Sequence, residues 1–199
     1  GTVENSILSG NTAMFGGGIY CYQGASARGC TLLGNSATNT GGGLFIDGNG
    51  TVSDCVLDGN RANQGGGAYL SGGGNVEGGV FVRNVALDHG GGVRLDSGGT
   101  VEDSTLSSNR AFNGAGAGFW DGGLLVNCVL AGNAATNHGG GADINSEGIA
   151  RYCQFDRNTA ALGGGAYLYN GGLVDRSVFV GNSATDHGGG ARFEGNGGI

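Results

Sequence analysis

The sequence predicts an all-β fold: a single-stranded parallel β-helix (solenoid) of about eight coils of 24–25 residues, three short strands per coil, forming one domain over residues 1–199 that is open at both ends. Three observations predict it. Glycine triplets recur at two alternating intervals, apolar residues hold fixed positions within each interval, and one position is asparagine in every unit. Repeats of this length cannot bury an apolar face alone and must stack on one another to do so.

The triplets begin at Gly16, Gly41, Gly65, Gly90, Gly139, Gly163 and Gly188, and Gly114-Ala115-Gly116 fills the gap, so the intervals alternate between 25 and 24 residues. Aligned, the units form columns. Asn11, Asn35, Asn60, Asn84, Asn109, Asn133, Asn158 and Asn182 make one, with alanine two residues after each and Leu or Phe three residues before. Another apolar column runs through Cys21, Ile46, Leu70, Leu95, Phe119, Ile144, Leu168 and Phe193, and Val3, Val52, Val76, Val101, Leu125 and Val174 form most of a third. Residues beside each apolar column vary freely, as in strands with one buried face. Stacked in parallel, like residues lie about 4.8 Å apart and the rod is about 38 Å long. Asparagine suits a corner, because it tolerates the left-handed conformation and its amides bond to one another in a ladder. The alanine column marks a corner without room for a larger side chain.

Composition agrees. The chain has 49 glycines, no proline and no lysine, which argues against long helices. A net charge of −7 with nine scattered arginines makes nucleic acid and anionic membrane poor partners. No stretch has the length of a membrane-spanning helix, so membrane insertion by helices is not expected, and GTVENSILSG lacks the basic and apolar regions of a signal peptide.

The pairing of Gly-Gly-Ala or Gly-Gly-aliphatic with Phe-x-x-Asn, as in Gly66-Gly67-Ala68 with Phe81 to Asn84 and Gly164-Gly165-Ala166 with Phe179 to Asn182, resembles the repeats of chlamydial polymorphic outer-membrane proteins and of pectin-lyase-like right-handed β-helices generally. Leucine replaces that phenylalanine in five of eight units. The resemblance implies right-handed coiling and an extracellular or cell-surface location.

Cys30, Cys55, Cys128 and Cys153 share a column with Ser6, Gly79, Ser104 and Ser177, while Cys21 lies in an apolar column. They read as small buried side chains in a narrow part of the coil. The pairs Cys30/Cys55 and Cys128/Cys153 fall within disulfide reach, about 4.4–6.8 Å between Cα atoms, but parallel side chains oppose the bond. No Cys-x-x-Cys occurs, so zinc is not expected.

His89, His138 and His187 each recur after two coils, about 9–10 Å apart, too far to share one metal ion. They read as surface corner residues, and no metal or cofactor is expected. Glu77 and Glu102 share a column with Asp103 beside them, the best carboxylate cluster for a lyase or hydrolase of the kind the resemblance includes. No base falls in the neighbouring columns, and the reading is that the protein is not an enzyme. Charges pair across coils elsewhere, Glu4 with Arg28 and Arg151 with Asp175.

Tyr20, Tyr22, Tyr69, Trp120, Tyr167 and Tyr169 occupy the two outward positions flanking an apolar column. They are candidate glycan-binding residues, against the plainer reading that aromatics favour strands and pair across them. Ile7, Val56, Val80, Val129 and Val178, with Leu33, Val82 and Val180, form an outward semi-apolar strip, a candidate lateral contact face. Gly197-Gly198-Ile199 falls in the register of Gly1-Thr2-Val3, so one copy's last half-coil is continued by the first half-coil of the next. The expected partners are therefore further copies stacked head to tail, or the rest of a longer solenoid. The expected function is a non-catalytic structural or adhesive solenoid, a subunit or segment of an extracellular filament or surface adhesin. A glycan-binding passenger domain and a polysaccharide lyase or hydrolase are the alternatives.

Overall fold

A computed structural model describes residues 1–195. The expected register of Gly197-Gly198-Ile199 falls outside the described residues. Every regular element is a strand, and the strands form four parallel eight-stranded sheets stacked along one axis. The first coil shows the plan: Thr2–Glu4 in sheet A, Ile7–Ser9 in sheet B, Thr12–Phe15 in sheet C and Ile19–Tyr22 in sheet D, with sheet A resuming at Ser26–Arg28. The sequence predicted three strands per coil, and the structure adds a fourth. Sheet C follows each asparagine and contains the alanine column, which lies in a strand and not at a corner. Its strand is as short as Arg61–Ala62 and carries no long apolar side chain.

Glycine explains the alanine. Gly41 has φ of +67°, and a Cβ there would lie 2.4 Å from the Leu44 carbonyl oxygen. At Gly42 a Cβ would come within 2.3 Å of the Gly66 carbonyl oxygen in the next coil and 2.5 Å of that of Arg61 in sheet C. The triplet turn thus lies directly against sheet C, and only a methyl group fits between. Ala86, Ala111, Ala115, Ala135 and Ala160 form a small core of their own there, with Ala115 the middle residue of the imperfect triplet. The main core lies between sheets A, B and D. It contains Leu57, Leu70, Phe81, Leu95, Leu106 and Leu130, each fully buried. Phe155 and Phe179 stack in it at 4.5 Å between ring centroids.

Two polar ladders hold the corners on either side of sheet B. In the asparagine ladder, Asn84 donates its N–H (2.9 Å) and Nδ2 (3.1 Å) to Asn109 Oδ1 in the next coil. Asn109 Nδ2 returns a bond to the Phe81 carbonyl oxygen at 3.0 Å. The same set recurs from Asn11 to Asn182, and the six inner asparagines are buried.

The second ladder is the cysteine column. The Cys55 thiol donates to the Ser53 carbonyl oxygen at 3.3 Å and accepts the Cys30 N–H at 3.3 Å. Ser104 does the same with its hydroxyl, donating to the Glu102 carbonyl oxygen at 2.7 Å and accepting the Gly79 N–H at 2.9 Å. Cysteine and serine are therefore equivalent donor–acceptors here. All five cysteines are free and buried, and burial pushes the Cys55 thiol up to about 11.

Asn109→Ala removes the acceptor for two buried donors and the donor for the Phe81 carbonyl. At about 1–3 kcal/mol for each unsatisfied buried group, it should cost roughly 3–5 kcal/mol. In urea unfolding the midpoint should fall with the slope unchanged, while Asn11→Ala, exposed at the first coil, should move it by less than about 1 kcal/mol.

A candidate binding face on sheet D

The outward side of sheet D is shaped by what stands beside it. The strand ends of sheet C carry Phe15, Thr40, Gln64, His89, Asn113, His138, Leu162 and His187 as one column in register from coil to coil. After the glycine turn this column forms a wall over the nearer outward positions of sheet D. Phe15 packs on Phe45 at 5.8 Å and His138 stacks on Tyr167 at 4.2 Å, centroid to centroid. Outward is therefore not the same as exposed.

This divides the aromatic row. Tyr69 and Tyr167 are 8% and 5% exposed and face the wall, so they do not present a ring to a ligand. Tyr169 is half-buried. Tyr20, Tyr22 and Trp120 are 46%, 55% and 50% exposed. Tyr20 and Tyr22 lie 6.3 Å apart in the first coil, and Tyr20 begins a stack through Phe45 to Tyr69 at 5.0 and 5.4 Å. Trp120 stands alone four coils further on. Three tyrosines share a device the sequence reading did not find. Tyr20, Tyr69 and Tyr167 each donate their hydroxyl to a carboxylate twenty-seven residues on, Asp47, Asp96 and Glu194. Burial and that carboxylate raise Tyr69 and Tyr167, and the Tyr167 hydroxyl holds Glu194 down.

The histidines are not alike, and the expectation of three surface corner residues is corrected. His187 is exposed, whereas the His89 side chain is 19% exposed. His89 Nδ1 lies 2.7 Å from Asp88 Oδ1, and its Nε2 lies 3.0 Å from Asn113 Nδ2, which donates to it. Burial holds His89 below the usual histidine range, in keeping with a neutral ring. Its Nε2 is also 4.0 Å from Asp143 Oδ2.

Asp143, Gly118 and Arg94 are successive members of one outward column. Arg94 and Asp143 are 4% and 2% exposed. Arg94 Nε and Nη1 and Asp143 Oδ1 have no hydrogen-bond partner, and the Arg94 guanidinium lies 5.5 Å from the centroid of the Trp120 ring. Burial lifts Asp143 to about 7, opposed by the Arg94 cation. Neither residue stands out in the sequence. Only the wall, which buries their column, makes them unusual.

Other candidates sit elsewhere. Glu77 and Glu102 pair in register on sheet A, where Asn75 Nδ2 donates to Glu102 Oε1 at 3.1 Å. Glu4 and Arg28 are in register, but Arg28 forms its ion pair with Asp54 at 3.9 Å; Arg151 and Asp175 pair as expected at 3.7 Å. No cluster of three or more metal-ligating side chains occurs among the described residues.

A family described as a right handed beta helix region matches residues 42–199. The chain is a right-handed β-helix protein. Comparison with curated proteins and with solved structures brings no match. On the face of sheet D in this β-helix, Tyr20, Tyr22 and Trp120 are the exposed rings, and buried Arg94 lies beside Trp120.

The buried pair gives a pH test. Asp143 sits at about 7 when folded against 3.8 as its ordinary value, so its stabilising contribution is full below 3.8 and is lost as pH rises through about 7. His89 runs oppositely, contributing above 6.5 and losing that contribution as pH falls. Asp143→Asn removes the first and keeps the second. From pH 4 to 8 the stability of the variant relative to the parent should rise by up to about 4 kcal/mol, as three pKa units imply. A difference independent of pH in urea titrations would remove this account of Asp143.

Proposed function

We propose that the chain is a non-catalytic structural or adhesive β-solenoid, a rigid segment of an extracellular filament or surface adhesin. The observation that carries this reading is continuity. One core and one asparagine ladder run through all eight coils, so the coils form a single stiff rod.

The ladders are also directional. At the first coil Asn11 Oδ1 accepts no bond among the described residues, and at the last the Asn182 backbone N–H donates none among them. These are complementary groups, and a further coil of the same build satisfies both, whether it belongs to a longer chain or to a second copy. Negative-stain electron microscopy across a concentration series should show unbranched fibres that lengthen with concentration. Short rods at every concentration would overturn self-stacking.

A second reading, glycan binding, is favoured by the exposure of Tyr20, Tyr22 and Trp120. Stacked sugar rings use such surfaces, and the buried Arg94 guanidinium, 5.5 Å from the Trp120 ring centroid, backs that ring from the protein side. On a glycan array, Trp120→Ala and Tyr22→Ala should each weaken any binding at least tenfold, and Tyr69→Phe should leave it unchanged. Binding indifferent to both alanine changes would discard this face.

A further inference from the structure

Sheet B presents an exposed apolar strip along the rod. Its outward positions include Ile7 (77% exposed), Leu33, Val80, Val129, Val178 and Val180. Two carboxylates on it, Asp58 and Asp156, are covered by Arg83 and Arg157. Nothing among the described residues covers the rest.

What flanks the strip is ordered by charge. On the sheet A side in coils three to five stand Asp54, Glu77 and Asp103, all exposed. On the sheet C side of the same coils stand Arg61, Arg83 and Arg110, also exposed. These side chains point away from the core. Arg83 is paired with Asp58 and Asp54 with Arg28, which leaves Glu77 and Asp103 on one flank and Arg61 and Arg110 on the other without an ion pair among the described residues.

We infer that sheet B is a homodimer interface, in which a second copy lies face to face with the first, related by a half-turn about an axis parallel to the rod. That operation places the acidic row of each copy opposite the basic row of its partner. A half-turn about an axis along the strands would instead oppose like charges, so the charge pattern selects one arrangement. The area suffices. A strip about 38 Å long and, with its flanking rows, about 20 Å wide gives about 760 Å² per partner, close to the 800 Å² or so of a standard interface. Two facing sheets about 10 Å apart then form a sandwich of short β-branched side chains.

This pairing is independent of end-to-end stacking, and the two are told apart by shape. A face-to-face pair has the length of one rod and twice its cross-section, and end stacking doubles the length. The first experiment is sedimentation velocity at low salt over a concentration range, with small-angle scattering for shape. The parent chain should form a dimer of doubled cross-section. Val80→Lys/Val129→Lys should be monomeric.

Two charge variants make the test specific. Arg61→Glu/Arg110→Glu makes both flanks acidic. Asp54→Arg/Glu77→Arg makes both basic, and its corner column already carries an arginine at Arg176, also at positive φ. Each alone should dissociate at least tenfold more readily than the parent, and an equimolar mixture of the two should recover the dimer. Circular dichroism and unfolding midpoints check that every variant folds. A monomeric parent chain, assembly unchanged in the lysine variant, or a mixture that stays monomeric would each overturn the inference. Fibres one rod wide in the parent chain would overturn it while leaving the structural reading in place.

Discussion

Every coil is held to the next by one buried amide, and the rest of the structure is arranged around that constraint. An asparagine whose Oδ1 takes two donors from the coil before cannot shift without breaking both bonds. Yet the coils alternate between 24 and 25 residues, so the extra residue must be absorbed where no ladder runs. It is absorbed in sheet C after the alanine, where the pairing shifts register between Ala111 and Asn113 and again between Ala134 and His138. The slack of the repeat therefore collects at one place, the wall beside sheet D. Long coils put Thr40, His89, His138 and His187 there, and short coils fill the same column with Gln64, Asn113 and Leu162.

The wall gives the rod a second, outer packing layer, and that layer is where the energetics become irregular. Inside, a residue meets its own kind above and below, and Leu on Leu needs no further arrangement. Outside, the wall buries whatever the outward column holds. Where it holds Phe45 and Tyr69, the result is a ring stack. Where it holds Arg94 and Asp143, two charges lose their water across a glycine, with only part of their hydrogen bonding replaced. Burying such groups is costly unless they are paired, and the burial that raises Asp143 to about 7 reduces the cost by favouring its uncharged form. A fold built from repeats thus contains one site that does not repeat.

How much of this the sequence revealed follows the same division. The coil count, the asparagine ladder and the apolar columns were legible, because each rests on one residue type recurring at a fixed interval. The fourth strand was not, since Arg61–Ala62 offers neither length nor alternation and its partner surface is a glycine turn. The role of Cys55 was hidden by chemistry, a thiol there acting as the hydroxyl of Ser104 does two coils away. The aromatic row was misread in part. Alternation gives the direction of Tyr69 and Tyr167 correctly, but it is silent on a wall formed by the preceding coil, as His138 forms it over Tyr167. The spacing of twenty-seven between these tyrosines and their carboxylates was visible in principle, and only stacking gives it meaning.

That contrast also tells where order in a solenoid carries information beyond folding. Inward columns must be uniform, because each residue is its neighbour's packing partner, so uniformity there is explained once the coil closes. Outward positions face solvent and are free to vary, as the residues around Thr31, Gln154 and Ser107 do. Order that appears outside without a packing cause requires another reason. The carboxylates beneath the tyrosine hydroxyls have one, in the bonds they accept. Arg83 and Asp54 have one as well, in their pairs with Asp58 and Arg28. The separation of Glu77 and Asp103 from Arg61 and Arg110 by a strip of valine and leucine has no ion pair to explain it within a single rod, and a surface presenting the opposite order would explain it.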